Sequence, residues 1–179
     1  MILTAVALPR WKIGRWTYGV PTVKMAKSGK RLVIGSFCSI APGVRIFLGG
    51  EHRTDWASTY PFNMFWTGVK DMDKVRSSKG HVIIGNDVWL GETCLILSGV
   101  RIGDGAVIGA NTLVTSDVPP YAIMSGNPAR LLRFRFNPET IESLLTIAWW
   151  NWTDEKIKEF LPLMESPDIG AFIEAARHP

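Results

Sequence analysis

Broken into sixes, residues 84–119 read IGNDVW LGETCL ILSGVR IGDGAV IGANTL VTSDVP. Each block opens on an aliphatic residue: Ile84, Leu90, Ile96, Ile102, Ile108 and Val114. Four places later each carries a small or slender one: Val88, Cys94, Val100, Ala106, Thr112 and Val118. A helix would space its apolar residues by three and four, and a strand would alternate in twos along its whole length. A period of six fits neither. It suits short parallel strands joined by tight turns, with both repeating positions facing inward and three hexads closing one roughly triangular coil. Residues 84–118 then supply about two coils.

The pattern extends upstream as IGSFCS IAPGVR IFLGGE, with Ile34, Ile40 and Ile46 at the aliphatic position and Cys38 and Val44 at the small one. Ile34 and Ile84 are fifty residues apart, which is not a multiple of six, so the segment from about Gly50 to Lys79 interrupts the register as an excursion. Loops that leave a regular scaffold are where function concentrates. Further upstream, YGVPTVKM (18–25) is compatible with another coil but too irregular to count, and MILTAVALPRW reads as a first strand. Downstream the hexads stop at Pro119–Pro120, and after YAIMSGNPARLLRFRF a helical tail is predicted. Asn137 caps a first helix with Pro138 at its opening position and Ile141, Leu144, Leu145 and Ala148 on one stripe. Thr153 with Asp154 and Glu155 starts a second. Ser166–Pro167–Asp168 starts a third, continued by Ile169, Phe172, Ile173 and Ala176. The open end of a coil exposes unpaired backbone, which a helical cap would cover. The expected division is a mainly β coil over 1–136, with an excursion at about 50–80, followed by a helical cap over 137–179.

At 179 residues, 46% apolar and 20% charged, the chain has the composition of one folded domain. Its net charge of +4 (20 basic minus 16 acidic) suits an anionic ligand without demanding nucleic acid. Arg130 to Arg135, with Phe134 and Phe136 interleaved, lacks the wider basic stripe of a nucleic-acid surface. Two cysteines are too few for a disulfide scaffold or a zinc site, and both occupy inward positions as small apolar fillers. Apolar runs stop well short of the ~20 residues of a membrane helix, and no secretory leader is evident, so a soluble cytoplasmic protein is expected. GDGAVIG (103–109) lacks dinucleotide-loop spacing, and its glycines already belong to the hexads.

Histidine titrates near neutrality and is the usual general base. Of the three here, His52 lies in the excursion beside Glu51, Arg53 and Asp55. His81 sits at the return to the coil as a surface residue, and His178 is penultimate. Three scattered histidines argue against a metal site.

Taken together, the hexads interrupted by EHRTDWASTYPFN, resumed at GNDVWLG and closed by DVPPYAIMSGNPARLLRFRF and WWNW, resemble the xenobiotic acetyltransferase group of the hexapeptide-repeat acyltransferases. That group includes the type B chloramphenicol and the streptogramin A acetyltransferases. The resemblance spans about Tyr18 to Met164. It implies a left-handed parallel β-helix, a homotrimer with active sites between neighbouring subunits, acetyl-CoA as donor, and a hydroxyl of a small polar molecule as acceptor, sugar-like or an antibiotic. It implies His52 as the base that activates this hydroxyl in a ternary complex. Asp55 either orients the His52 ring or holds the loop through backbone hydrogen bonds. Trp56, Tyr60 and Phe62, with Phe65 and Trp66, either wall an acceptor pocket or fill a trimer interface. The extended arm of coenzyme A suits the small residues of the later coils, among them Gly91. The superfamily's cofactor pattern falls on Ala110, Thr115, Arg130 and Arg133. Glu92 stands where that pattern has a small serine. No metal is expected. The rival reading is a non-catalytic or metal-binding β-helix that serves assembly.

Overall fold

The computed structural model describes residues 2–69 and 76–177. A helical turn, α1 (Thr4–Ala7), precedes β1 (Lys12–Ile13) and β2 (Thr22–Lys24). Three hexads follow as β3 (Leu32–Ile34), β4 (Ser39–Ile40) and β5 (Arg45–Phe47). The excursion carries β6 (Glu51–His52) and β7 (Arg76–Ser77). The long repeat then gives β8 (Val82–Ile84), β9 (Trp89–Leu90), β10 (Leu95–Ile96), β11 (Arg101–Ile102), β12 (Val107–Ile108) and β13 (Leu113–Val114). β14 (Ala122–Ser125) and β15 (Arg130–Phe134) form a hairpin ahead of α2 (Pro138–Ile147), α3 (Asp154–Met164) and α4 (Ile169–Arg177).

The strands sort into three main sheets that the chain visits in fixed rotation, β8, β9 and β10 each joining a different one before β11 returns to the first. Neighbours pair in parallel three hexads apart, as in Ile83↔Arg101, Trp89↔Val107 and Leu95↔Leu113. Across the excursion the partners are Val33↔Ile83, Ser39↔Trp89 and Arg45↔Leu95. These offsets of 50 exceed one 18-residue coil by 32, so 32 residues leave the scaffold and the chain re-enters it in register. The core follows the hexads. The aliphatic residue that opens each hexad, Ile34 to Ile46 and Ile84 to Val114, is at most 4% exposed, and so is the residue four places after it except after Ile46, where the chain leaves the coil at Gly50. Each such aliphatic side chain stabilises the fold by roughly 1.5–3 kcal/mol through burial.

Two sequence expectations at the N-terminus need revision. The opening segment is a helical turn, not a strand. The Thr4 N–H donates to the Thr17 carbonyl (2.9 Å) and its hydroxyl to that of Gly19 (2.6 Å), so this turn supplies donors to backbone acceptors at the start of the coil. Residues 18–24 do form a further coil: Tyr18 bridges Ser39 and β2 pairs with β5. Offsets of 21 and 23 residues in place of 18 hide this coil from a hexad search.

All three helix starts read from the tail occur. Asn137 Oδ1 accepts from the Thr140 N–H (2.8 Å), Thr153 Oγ1 from that of Lys156 (3.3 Å) and Asp168 Oδ1 from that of Ala171 (3.0 Å). The helices share a second core built on Tyr121, Leu144, Phe160 and Phe172. They meet the coil along one corner, from Tyr121 near its last turn through Phe37, whose ring lies 4.9 Å from that of Trp149, to Arg15, which pairs with Asp154. The aromatic residues of this corner draw the tail along a flank, and it is β15, antiparallel to β14, that covers the terminal strand edge.

Candidate active site

The excursion leaves and rejoins the coil as a two-stranded ribbon, with Glu51 opposite Ser77 and His52 opposite Arg76. Successive side chains on a strand point to opposite faces. Glu51 turns toward the coil, where its carboxylate accepts from the Ser98 hydroxyl, and His52 is exposed. The His52 Nδ1 lies 2.7 Å from the Thr59 carbonyl oxygen. A carbonyl only accepts, so Nδ1 carries the proton and Nε2 presents its lone pair.

Asp55 does not touch this ring. Arg53 Nε donates to its Oδ1 at 2.6 Å and a second guanidinium nitrogen to Oδ2, a two-pronged contact that holds the carboxyl below the usual carboxylate range. The same guanidinium covers the Trp56 ring at 5.4 Å. Tyr60 and Phe62 stack with centroids 4.9 Å apart, Phe62 and Trp66 at 4.7 Å, and Tyr60 and Phe65 at 5.6 Å. Phe65 and Trp66 remain 64% and 59% exposed, so this aromatic group is a surface within one chain. His81 has a structural role: its Nδ1 accepts from the Arg31 N–H at 3.0 Å. His178 lies outside the described residues.

The cofactor candidates divide between two corners and a hairpin. Gly91 is buried beneath the next coil; a Cβ there would meet Ala110 N and the Ile108 carbonyl oxygen, both at 2.7 Å. Ala110 above it is exposed. Thr115 follows β13 at the next corner, stacked on Leu97, whose N–H donates to the Val114 carbonyl (3.0 Å). This is the corner where Ser98 holds the base of the His52 ribbon, so Thr115 and His52 share an edge and Gly91 and Ala110 lie across the sheet from it. Arg130 and Arg133 stand exposed on β15. Their guanidinium groups bond the Ala129 and Phe134 carbonyls (3.2 and 3.1 Å), and neither forms an ion pair with a described residue. Arg135 is instead used inside the fold. It donates to Asp87 (3.0 Å) and to the Gly105 carbonyl (2.8 Å), where burial pushes the Asp87 carboxyl up and the guanidinium opposes the shift. Burial raises the Cys38 and Cys94 thiols to about 11 and about 12, and keeps both unreactive.

Residues 81–116 match the family model for the bacterial transferase hexapeptide (six repeats). A chloramphenicol acetyltransferase of Agrobacterium fabrum is 46% identical over 146 residues, covering 79% of this chain and 69% of the relative. The chain belongs to the xenobiotic acetyltransferase group of hexapeptide-repeat proteins. It is an acyltransferase. To a probable macrolide acetyltransferase of Lysinibacillus sphaericus this acyltransferase is 47% identical over 142 residues, 77% of its own length and 79% of the relative's. Its fold is similar to a galactoside acetyltransferase solved in complex with coenzyme A, with a TM-score of 0.52 and 28% identity. That match covers 70% of this chain and spans 60% of the solved one. Thr59 and Ser98, which contact His52 and Glu51, are not evident from the sequence pattern. The first acts through its backbone carbonyl, and the second occupies a hexad position that reads as an ordinary turn.

Proposed function

We propose that this acyltransferase moves an acetyl group from acetyl-CoA directly to a hydroxyl of a small polar acceptor, with His52 as general base. The observation that carries this reading is the Nδ1 contact to the Thr59 carbonyl at 2.7 Å, which leaves the Nε2 lone pair of an exposed ring to accept a proton. In the proposed step Nε2 takes the acceptor's hydroxyl proton as the oxygen attacks the thioester carbonyl carbon. The carbon–sulfur bond breaks, and the imidazolium returns the proton to the departing coenzyme A sulfur. The two buried, high-pKa cysteines support direct transfer over an acyl-enzyme.

The rotation through three sheets supports a parallel β-helix over 1–136, for which the likeness to other hexapeptide-repeat acetyltransferases supports the left hand, with the helices of 137–179 as a separate unit along its flank. In that scaffold the close stacking of Gly91 under Ala110 leaves a smooth edge for an extended pantetheine arm, with Thr115 at the corner nearest the base. The exposed guanidinium groups of Arg130 and Arg133, which form no ion pair with a described residue, suit the phosphates. Gly91 contributes by packing, the others by contact. Trp56, Tyr60 and Phe62, with Asp55 beside them, line the acceptor side. The assembly is a homotrimer in the cytoplasm, its neighbouring subunits closing the cleft that one chain leaves open.

Release of free thiol from acetyl-CoA tests this reading, with chloramphenicol, a streptogramin A and a nucleotide sugar as acceptors. Acceptor-dependent release is expected, and His52→Ala should lower turnover by ~10²–10⁴-fold with acetyl-CoA binding retained. Full turnover in that variant removes His52 from the reaction.

A further inference from the structure

A buried hydroxyl joins both strands at the base of the His52 ribbon. Ser98 follows β10, is 1% exposed, and faces both strands of the excursion where they meet the coil. Its hydroxyl donates to Glu51 Oε1 on the departing strand and accepts from the Lys79 N–H, at 2.9 Å, on the returning one. The next residue makes the same junction from its backbone. Gly99 has φ +81°, and a Cβ there would lie 2.8 Å from Lys79 Cβ and 2.9 Å from the Lys79 carbonyl oxygen. The Gly99 N–H also donates to the Gly80 carbonyl (3.3 Å). A serine offers one donor and accepts through its lone pairs, and here both capacities are used on opposite ends of a 32-residue excursion.

We propose that Ser98 is a positioning residue for His52, acting through Glu51. Glu51 and His52 are consecutive on β6, so fixing the carboxylate inward fixes the imidazole outward. The Thr59 carbonyl then selects the ring tautomer from the far side. Without the Ser98 hydroxyl, the Glu51 carboxylate and the Lys79 N–H lose a shared partner at a buried junction, the ribbon is held less firmly on the coil, and the contact to Thr59 is less strictly enforced. Displacing a reacting group by about 1 Å costs on the order of 10²-fold in rate.

This inference rests on His52 as the base, so the two are tested by separate readouts. Imidazole ¹⁵N spectra of the whole protein report the tautomer at His52 whether or not His52 is the base. The wild type should show a protonated Nδ1, Ser98→Ala a mixture of tautomers, and Ser98→Thr, which keeps the hydroxyl, the wild-type pattern. Turnover is measured with acetyl-CoA and the fastest acceptor among chloramphenicol, a streptogramin A and a nucleotide sugar. Ser98→Ala should lower kcat by ~10–10²-fold with KM for acetyl-CoA nearly unchanged, and Ser98→Thr should restore most of it. If Ser98→Ala does not fold, Glu51→Ala removes the same bond from the loop side and should give the same loss, with Glu51→Gln recovering it. An unchanged tautomer and kcat in the alanine variants, with His52→Ala inactive, overturns the role of Ser98 and leaves the base intact. An active His52→Ala overturns the base, and with it the catalytic meaning of a Ser98 effect still visible in the spectra.

Discussion

At the scale of single residues, the proposed base His52 and its acidic neighbour Asp55 have separate partners. A short acidic motif beside a histidine suggests a carboxylate that steers the ring, but Arg53 takes both Asp55 oxygens and a main-chain carbonyl takes the ring nitrogen. Asp55→Asn should therefore leave the acid limb of the pH–rate profile where it is, since that limb reports loss of the proton from the base and activity rises with pH as the proton leaves. Its effect should fall on the acceptor's KM, through release of Arg53 from Trp56. A limb that moves with Asp55→Asn would mean that its charge acts on the base after all. The thiols allow a second test. With pKa values pushed up to about 11 and about 12 by burial, Cys38 and Cys94 are un-ionised near pH 8, so a disulfide reagent should label neither in the native protein and both in denaturant. A native-state labelling burst would show that the coil opens. The place of His52 in an exposed excursion was legible in the sequence because a break stands out from a regular background, while its proposed role came from the family resemblance. Thr59 was not, because its functional atom is one that every residue has.

At the scale of elements, the repeat transmits its spacing almost without loss. The aliphatic residue and its partner four places on are buried in all six hexads from Ile84 to Val118, because each strand stacks on its equivalent one coil away. The same stacking makes some positions intolerant. At Gly91 the next coil passes so close that a methyl group would press on two backbone atoms at 2.7 Å, neither of which belongs to a movable side chain. Gly91→Ala should destabilise the fold by ~1–3 kcal/mol, seen as a lower midpoint in denaturant with unchanged slope. It should raise the acetyl-CoA KM only as far as Ala110 is displaced. A fully stable variant would require the coils to spread, contrary to the pairing of β9 with β12. What pattern reading missed at this scale has one cause. Offsets of 21 and 23 residues in the first coil put extra residues into its turns, and a four-residue helical turn is too short to show a period. Helix starts in the tail were legible because capping is local chemistry, carried by Asn137, Thr153 and Asp168 themselves. The path of those helices along the coil depends on Arg15 and Phe37, more than a hundred residues away from their partners.

At the scale of the whole molecule, one chain carries more apolar surface than its own core uses. Phe65 packs on Tyr60 and Trp66 on Phe62, yet all four are exposed, and Trp89 and Leu132 are 55% and 65% exposed on the sheet that ends in β15. Contiguous apolar patches beyond a few hundred Å² are uncommon on monomers and mark contact surfaces. A threefold assembly would bring the outward face of one coil against the excursion of the next, with His52 over the seam and the small-residue edge of Ala110 along it. Gel filtration should then give about 60 kDa, three times the 19.9 kDa chain. Dilution gives a sharper test, because a site shared between subunits has no activity in a separated one. Specific activity should be constant at high protein concentration and fall once the assembly dissociates, and Phe65→Ser with Trp66→Ser should move that fall to higher concentration. Activity that stays proportional to protein at every dilution, in a species eluting near 20 kDa, would confine the whole reaction to one chain and assign the aromatic surface to the acceptor alone.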